Sequence, residues 1–341
     1  MKKIYSILCL FMAVVTVSCS SDDDDVLSTL NSINTFQINF ENLSADDVTY
    51  DLGSNITVSV PFGTNLNDLV ATIGLSENAT ISPALGEAVT YIDGEPKVFT
   101  VTAQDGLTTK QYTVTINVRG EVGSGSRLKT YTLADAWGEN SVTTYMYAET
   151  NFVNEFTKEE DDWGTLISTT YKLVYNDKNQ VIEKKAEANK ESIVYEYNAE
   201  GQIVKGILKV DNVLTYTYNY VYNAAGNLTS EKRTDHTDSD AVTEVLYTII
   251  NGNVTVENKY GDDYTATYDA KNNPFKGIYP AAYAAINVGI QSVNTNNPIT
   301  GTIADAAITY EYNTANYPIK SSYTYFEGLA EVVKTFTYYA E

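Results

Sequence analysis

Apolar and polar residues alternate with a period of two along most of this chain. Ile56-Thr-Val58-Ser-Val60, Val98-Phe99-Thr-Val101-Thr-Ala103 and Tyr112-Thr-Val114-Thr-Ile116-Asn-Val118 carry the pattern in the first third. Successive strand side chains point to opposite faces, so each run reads as a strand with one buried face. Asp105-Gly106, between the last two runs, is a hairpin signal. Ile33, Phe36, Ile38 and Phe40 open the segment. Short strands between regular turns predict a β-sandwich over residues 32–118.

Residues 119–127 hold Gly120, Gly123 and Gly125 with two serines and read as a linker. The alternation then returns as an internal repeat over 128–341. Tyr175-Asn176-Asp-Lys-Asn179-Gln-Val181 is one copy. Tyr197-Asn198-Ala-Glu-Gly201-Gln-Ile203 and Tyr222-Asn223-Ala-Ala-Gly226-Asn-Leu228 are the next two. Later variants lie at Tyr268-Asp269 and Tyr312-Asn313, with a degenerate copy at Ile250-Asn-Gly-Asn-Val254. In each unit a strand ends at Tyr, and Asn or Asp starts a turn through its side chain. Gly or Asn then supplies a positive φ, and a new strand begins at Val, Ile or Leu. Anchors 22 and 25 residues apart leave room for one hairpin per repeat, which predicts a curved antiparallel meander, open or barrel-like. Pro280-Ala-Ala-Tyr-Ala-Ala-Ile-Asn-Val is the one helical stretch, expected to cover an end of the sheet.

The first residues break the pattern. Lys2 and Lys3 precede an apolar run from Ile4 to Val17, of export-signal rather than membrane-span length. Residues 1–18 are read as a signal peptide. Residues 19–31 are read as an acidic tether; twelve extended residues would reach roughly 40 Å.

Composition sharpens the picture. There are 28 Tyr against 10 Phe and 2 Trp, and Tyr, Thr and Val suit pleated, half-buried surfaces; the fold class is all-β. The formal charge of −22 becomes more acidic once Lys2 and Lys3 leave with the signal. That charge argues against nucleic acid and anionic headgroups as partners. Cys9 lies in the signal, so Cys19 is the one cysteine left, and no disulfide, thiol nucleophile or cysteine metal site is available.

Several motifs resemble known families. Thr16-Val17-Ser18-Cys19 resembles a bacterial lipobox, which implies acylation of Cys19 and an outer-membrane anchor. Ser20, Ser21 and Asp22, Asp23, Asp24, Asp25 resemble the surface-export signal of Bacteroidetes-type lipoproteins. Val60-Pro61-Phe62-Gly63-Thr64, Ala79-Thr-Ile-Ser-Pro83 and Phe99 to Gly106 resemble the immunoglobulin-like modules of such lipoproteins, in which they serve as spacers or parts of binding proteins. The tyrosine repeat resembles the tyrosine-aspartate (YD) repeats of large bacterial shell proteins, although Asn replaces Asp at most anchors. Asn273-Pro-Phe-Lys-Gly-Ile278 with Asn296-Asn-Pro298 and Asn316-Tyr-Pro-Ile-Lys320 resembles a Bacteroidetes lipoprotein domain of unknown function with a porin-like meander.

Candidate chemistry is sparse. His236, the only histidine, lies in Asp235-His-Thr-Asp238-Ser-Asp240 without a Gly-x-Ser-x-Gly elbow, and reads as a loop residue. The three aspartates could chelate calcium but lack the EF-hand order. Glu159-Glu160-Asp161-Asp162-Trp163 is the most suggestive acidic cluster for a glycosidase pair. No cofactor and no catalytic residue are expected. The aromatic residues singled out for a ligand face are Trp137, Trp163, Tyr216, Tyr218 and Tyr220. Tyr216, Tyr218, Tyr220 and Tyr222 alternate and should share one face with Leu214, either as cross-strand packing with hydroxyls at the rim or as an aromatic groove. The expected role is a non-catalytic surface lipoprotein binding a glycan or an envelope protein. A structural spacer comes second and a carboxylate-pair hydrolase third.

Overall fold

In the computed structural model, the described residues are 26–136, 138, 140–162 and 164–340. Cys19, the export-signal residues Ser20 to Asp25, Trp137 and Trp163 lie outside them. The chain divides into two compact units, one of residues up to Ser59 with Asn65–Asn117, the other of Val60–Thr64 with the residues from Val118 on.

Among the described residues, the regular elements of the first unit are strands and one 3-10 turn at Ala45–Asp47. One sheet has three strands and the other five. Phe36 of the Ile33–Ile38 strand meets Phe99 of the Pro96–Thr102 strand edge to face at 6.1 Å, so the two sheets share one core. The alternation seen in the sequence is the burial pattern: Ile56, Val58, Val101, Val114 and Ile116 are buried. The Asp105 carboxylate accepts from the backbone N–H groups of Leu107 and Thr108, and Gly106 takes a φ of 71° in the hairpin turn. The chain is already held at Ser28, whose carbonyl accepts from Asp105 N–H.

The second unit is a sixteen-stranded antiparallel sheet that curls into a nearly closed barrel. Its first strand, Leu128–Asp135, pairs with its last, Ala330–Tyr338, in register Thr132↔Thr335. The two remaining edges are the short strands Pro298–Gly301 and Thr309–Tyr312. Ile308 N–H donates to Ile299 O at 2.7 Å and the Tyr310 hydroxyl to Pro298 O at 2.8 Å, so a short seam joins them. Closure removes the free edges that an open meander would expose.

The repeat chemistry explains the hairpins. Asn176, Asn198, Asn223 and Asn313 each accept side-chain bonds from backbone N–H groups up to four residues on. Asn179, Gly201, Gly226 and Asn316 follow with φ between 60° and 79°. The anchor tyrosines do something that sequence reading did not foresee. Their hydroxyls do not reach water at the rim. Tyr175 donates to Val153 O (2.5 Å), Tyr197 to Val181 O (2.7 Å) and Tyr222 to Ile203 O (2.7 Å). Tyr147, Tyr268 and Tyr338 bond Leu128, Val254 and Pro318 carbonyls in the same way. Each accepting Val, Ile or Leu is fully or almost fully buried. The hydroxyl of one repeat thus satisfies a backbone acceptor of the repeat before it, as buried polar groups require.

The inner face is rich in aromatics, and the outer face mixes charged and hydroxyl side chains with exposed aliphatics such as Leu166, Val194 and Val221. Outward positions carry Glu183, Lys185, Glu196 and Lys205, with Glu196 and Lys205 paired across strands at 3.2 Å. Hydroxyl pairs such as Thr157 with Thr170 (2.8 Å) join neighbouring strands.

A barrel of sixteen strands leaves interior space that side chains alone fill poorly. Residues 269–297 enter it. Their helix, Ala281–Ala285, turns one face into the interior core, where Tyr283 packs edge to face on Tyr195 at 5.6 Å and on Tyr279 at 5.3 Å, while Ala281 stays exposed and its N–H donates to Glu121. Asparagines fold this insert: Asn294 receives Val254 N–H at 2.8 Å, and Asn297 donates to Asp269 and Asn272 O. The stretch read as a linker is pinned to it. Gly125 N–H donates to Gly277 O (3.1 Å), Ser126 Oγ to Pro274 O (2.9 Å), and Gly123 N–H to Thr150 O (2.8 Å). A Cβ on Gly123 or Gly125 would sit 2.4 Å or 2.6 Å from backbone atoms, so these glycines allow close approach rather than freedom.

Candidate functional site

Strand Val213–Tyr222 sets the site. Tyr216, Tyr218, Tyr220 and Tyr222 point inward, as alternation requires, and belong to the interior cluster. Leu214 does not join them. The ladder shifts between Leu208 and Lys209, so Leu214 pairs with the outward Lys209 while Tyr216 pairs with Leu208. Tyr220 is buried and stacked on Tyr218 (6.4 Å, 8°), which makes it a packing residue. Tyr216 and Tyr218 are half-buried and closer to the far end of the barrel, away from the asparagine turns.

Around them the lumen turns polar. The next strand, Leu228–Asp235, places Glu231 opposite Tyr220 and Arg233 opposite Tyr218. The Arg233 guanidinium lies over the Tyr216 ring at 4.9 Å, and its buried Nε has no hydrogen-bond partner among the described residues. Burial holds the Glu231 carboxyl above its usual range, against the pull of Arg233 and Lys259. Lys184 Nζ lies over Tyr171 at 5.1 Å, and burial lowers its pKa despite the nearby Glu191. Lys334, only 8% exposed, donates to Gln291 and lies over Tyr323 at 5.6 Å; burial brings its pKa down to about 8.

Next to Gln291 opens a cavity of about 540 Å³ lined by Glu257, Lys259, Tyr264, Gly289, Gln291 and Ser292 among others. Glu257 is buried, pairs with Lys259 at 2.7 Å and lies at the edge of hydrogen-bond reach (3.5 Å) of Ile290 N–H. A cavity with one tyrosine ring, aliphatic walls and a few convergent polar groups has the character of a site for a small polar ligand.

The other candidates disperse. His236 bridges Thr217 Oγ1 (2.8 Å) and Asp240 (2.5 Å), and it ties the 235–241 hairpin to the outer face of the sheet. Asp235 is occupied by Thr237, so the three aspartates do not converge. No group of three or more His, Cys, Asp or Glu among the described residues could hold a metal ion. In the acidic cluster, Glu160 pairs with Lys158 at 2.6 Å while Glu159, one residue away on the strand, faces the other side.

Lys184, Arg233 and Glu257 were missed for one reason. Every asparagine-turn hairpin carries a bulge next to its anchor Tyr: Tyr222 faces Leu228, yet Val221 faces Ser230. The extra residue reverses the alternation, so Glu231 and Arg233 turn inward where simple counting from Leu228 assigns Ser230 and Lys232. The same shift at Tyr175 turns Lys184 inward, and one at Ile249 turns Glu257 inward. Lys334 was legible, two residues from each of the inward Val332 and Phe336.

Among solved structures, a porin-like protein from Bacteroides uniformis is similar at 13% identity, with a TM-score of 0.43 over 64% of this chain and 99% of its own. A presumed glycoside hydrolase from Bacteroides thetaiotaomicron gives 11% identity and 0.24 over 92% of each chain. A DUF4623 family protein from Bacteroides eggerthii gives 10% and 0.22 over 90% of this chain and 99% of its own. Likenesses this distant place no ligand and no activity. No curated protein matches the chain. Residues 33–116, nearly all of the first unit, match the family model described as SGBP, N-terminal, a family of Bacteroidetes surface glycan-binding proteins.

Proposed function

We propose that this is a non-catalytic, cell-surface glycan-binding protein, tethered to the outer membrane through an acylated Cys19, that captures a saccharide in the far-end lumen of its barrel. The match of residues 33–116 to a surface glycan-binding family carries the reading. The lumen supports it: Tyr264 offers ring surface and Glu257, Lys259 and Gln291 offer hydrogen-bonding groups around the 540 Å³ cavity, and Tyr216 and Tyr218 add ring surface elsewhere on the inner face. Sugars need both, because their C–H faces pack on rings while their hydroxyls need polar partners. The packing role of the anchor tyrosines leaves them out of the site.

Calorimetric titration of the purified protein with a panel of oligosaccharides tests this. Binding by at least one, weakened tenfold or more by Tyr264→Ala, is expected. Binding unaffected by Tyr264→Ala and Tyr218→Ala would move the site out of the lumen. No binding to any saccharide would leave the spacer reading in its place.

A further inference from the structure

We propose that the lumen is selective for an acidic saccharide, whose carboxylate or sulfate groups are met by Lys334, Arg233 and Lys184. The proposal rests on the reading of the lumen as the glycan site and specifies the ligand it takes.

Three observations carry it. First, five cations point into the barrel, Lys158, Lys184, Arg233, Lys259 and Lys334, beside the inward acids Glu160, Glu231 and Glu257, and three of the five are left without a carboxylate in contact. Second, none of the three is within 4 Å of a carboxylate among the described residues. The ion pairs inside the lumen, Lys259 with Glu257 and Lys158 with Glu160, use other cations. Glu191 stands near Lys184, and Glu231 and Asp235 near Arg233, but only at longer range. Lys334 has no acid beside it: one of its three donors reaches Gln291, and that amide also lines the open cavity. Third, each of these three lies over a tyrosine ring, at 4.9 to 5.6 Å.

The rings alone do not account for the arrangement. A desolvated cation–π contact offsets only part of the cost of burying an ion. Replacing buried ions with apolar groups of similar size is often neutral or stabilising. Lys334 and the inner part of Arg233 therefore weigh against folding while the lumen is empty, and an anion entering it supplies the missing partner. A neutral sugar leaves that penalty in place.

Titration with matched pairs tests the proposal: a galacturonic acid oligosaccharide against its methyl-esterified form, and a sulfated galactan oligosaccharide against its desulfated form. The acidic member of one pair should bind at least tenfold more tightly, and which pair responds tells carboxylate from sulfate. Lys334→Met and Arg233→Met should each erase most of that preference, while Lys205→Met on the outer face should not. Lys334→Met should also melt at or above the wild-type temperature, which a purely structural lysine would not do. Equal or tighter binding of the neutral members overturns the proposal and leaves the glycan site standing. Unaltered preference in both lumen variants overturns it as well. Failure of every saccharide to bind overturns both readings.

Discussion

Replacing Tyr222 by Phe removes one oxygen atom and should be costly. That hydroxyl donates to Ile203 O at 2.7 Å, and Ile203 is fully buried, so no water can take its place. An ordinary hydrogen bond contributes about 0.5–1.5 kcal/mol net, but a buried acceptor left without a partner costs about 1–3 kcal/mol. The expected loss for Tyr222→Phe is in that second range. Tyr222→Ala also removes the ring from the interior cluster and should cost about 3–5 kcal/mol. For a unit of this size each kcal/mol lowers the melting temperature by about 2–4 °C. Tyr260 is 81% exposed on a hairpin tip, so Tyr260→Phe should stay within about 0.5 kcal/mol of wild type. Urea and thermal unfolding, followed by tryptophan fluorescence and circular dichroism, give all three values. A Tyr222→Phe variant that melts with wild type would refute the hydroxyl ladder, because the ring would then act by volume alone.

Alkaline pH should unfold the barrel cooperatively. Burial raises the pKa of Tyr222 and Tyr283 to about 12 and that of Tyr220 further still, so the stability these neutral rings contribute is full below pH 10 and is lost as pH rises through about 12. Phenolate absorbance and loss of circular dichroism should rise together; tyrosines titrating near pH 10 in a still-folded protein would contradict the burial. Gly125→Ala should destabilise the second unit, because its Cβ would lie 2.6 Å from Gly277, and limited proteolysis should spare residues 123–126; an early cut there would restore the free-linker reading. Cys19→Ala should release the protein from membranes into the soluble fraction, and replacement of Asp22 to Asp25 by Ala should reduce its exposure to external protease without loss of the lipid. A membrane-bound Cys19→Ala protein would place the anchor elsewhere.

The all-β class, the two units and the hairpin repeat were legible because they are local. Alternation marks each strand, Asn with Gly or Asn marks each turn, and both act within a few residues. What the repeats do to one another was not local. The acceptor of the Tyr222 hydroxyl lies 19 residues away and the partner of strand Leu128–Asp135 lies some 200 residues on, so ladder and closure exist only once the sheet curls. The helix around Tyr283 was expected to cover an end of the sheet, but that Tyr283 packs on Tyr195 and Tyr279 depends on the curled sheet and is not local. The candidate site depended on tertiary structure most of all. One bulged residue at Tyr175, at Tyr222 and at Ile249 reverses which side chains face the lumen, and it turns Lys184, Arg233 and Glu257 from apparent surface charges into lumen groups. A period of two carries no memory of an inserted residue, so alternation alone establishes that these strands have two different faces, while the bulges of the folded sheet set which charges lie on the inner one.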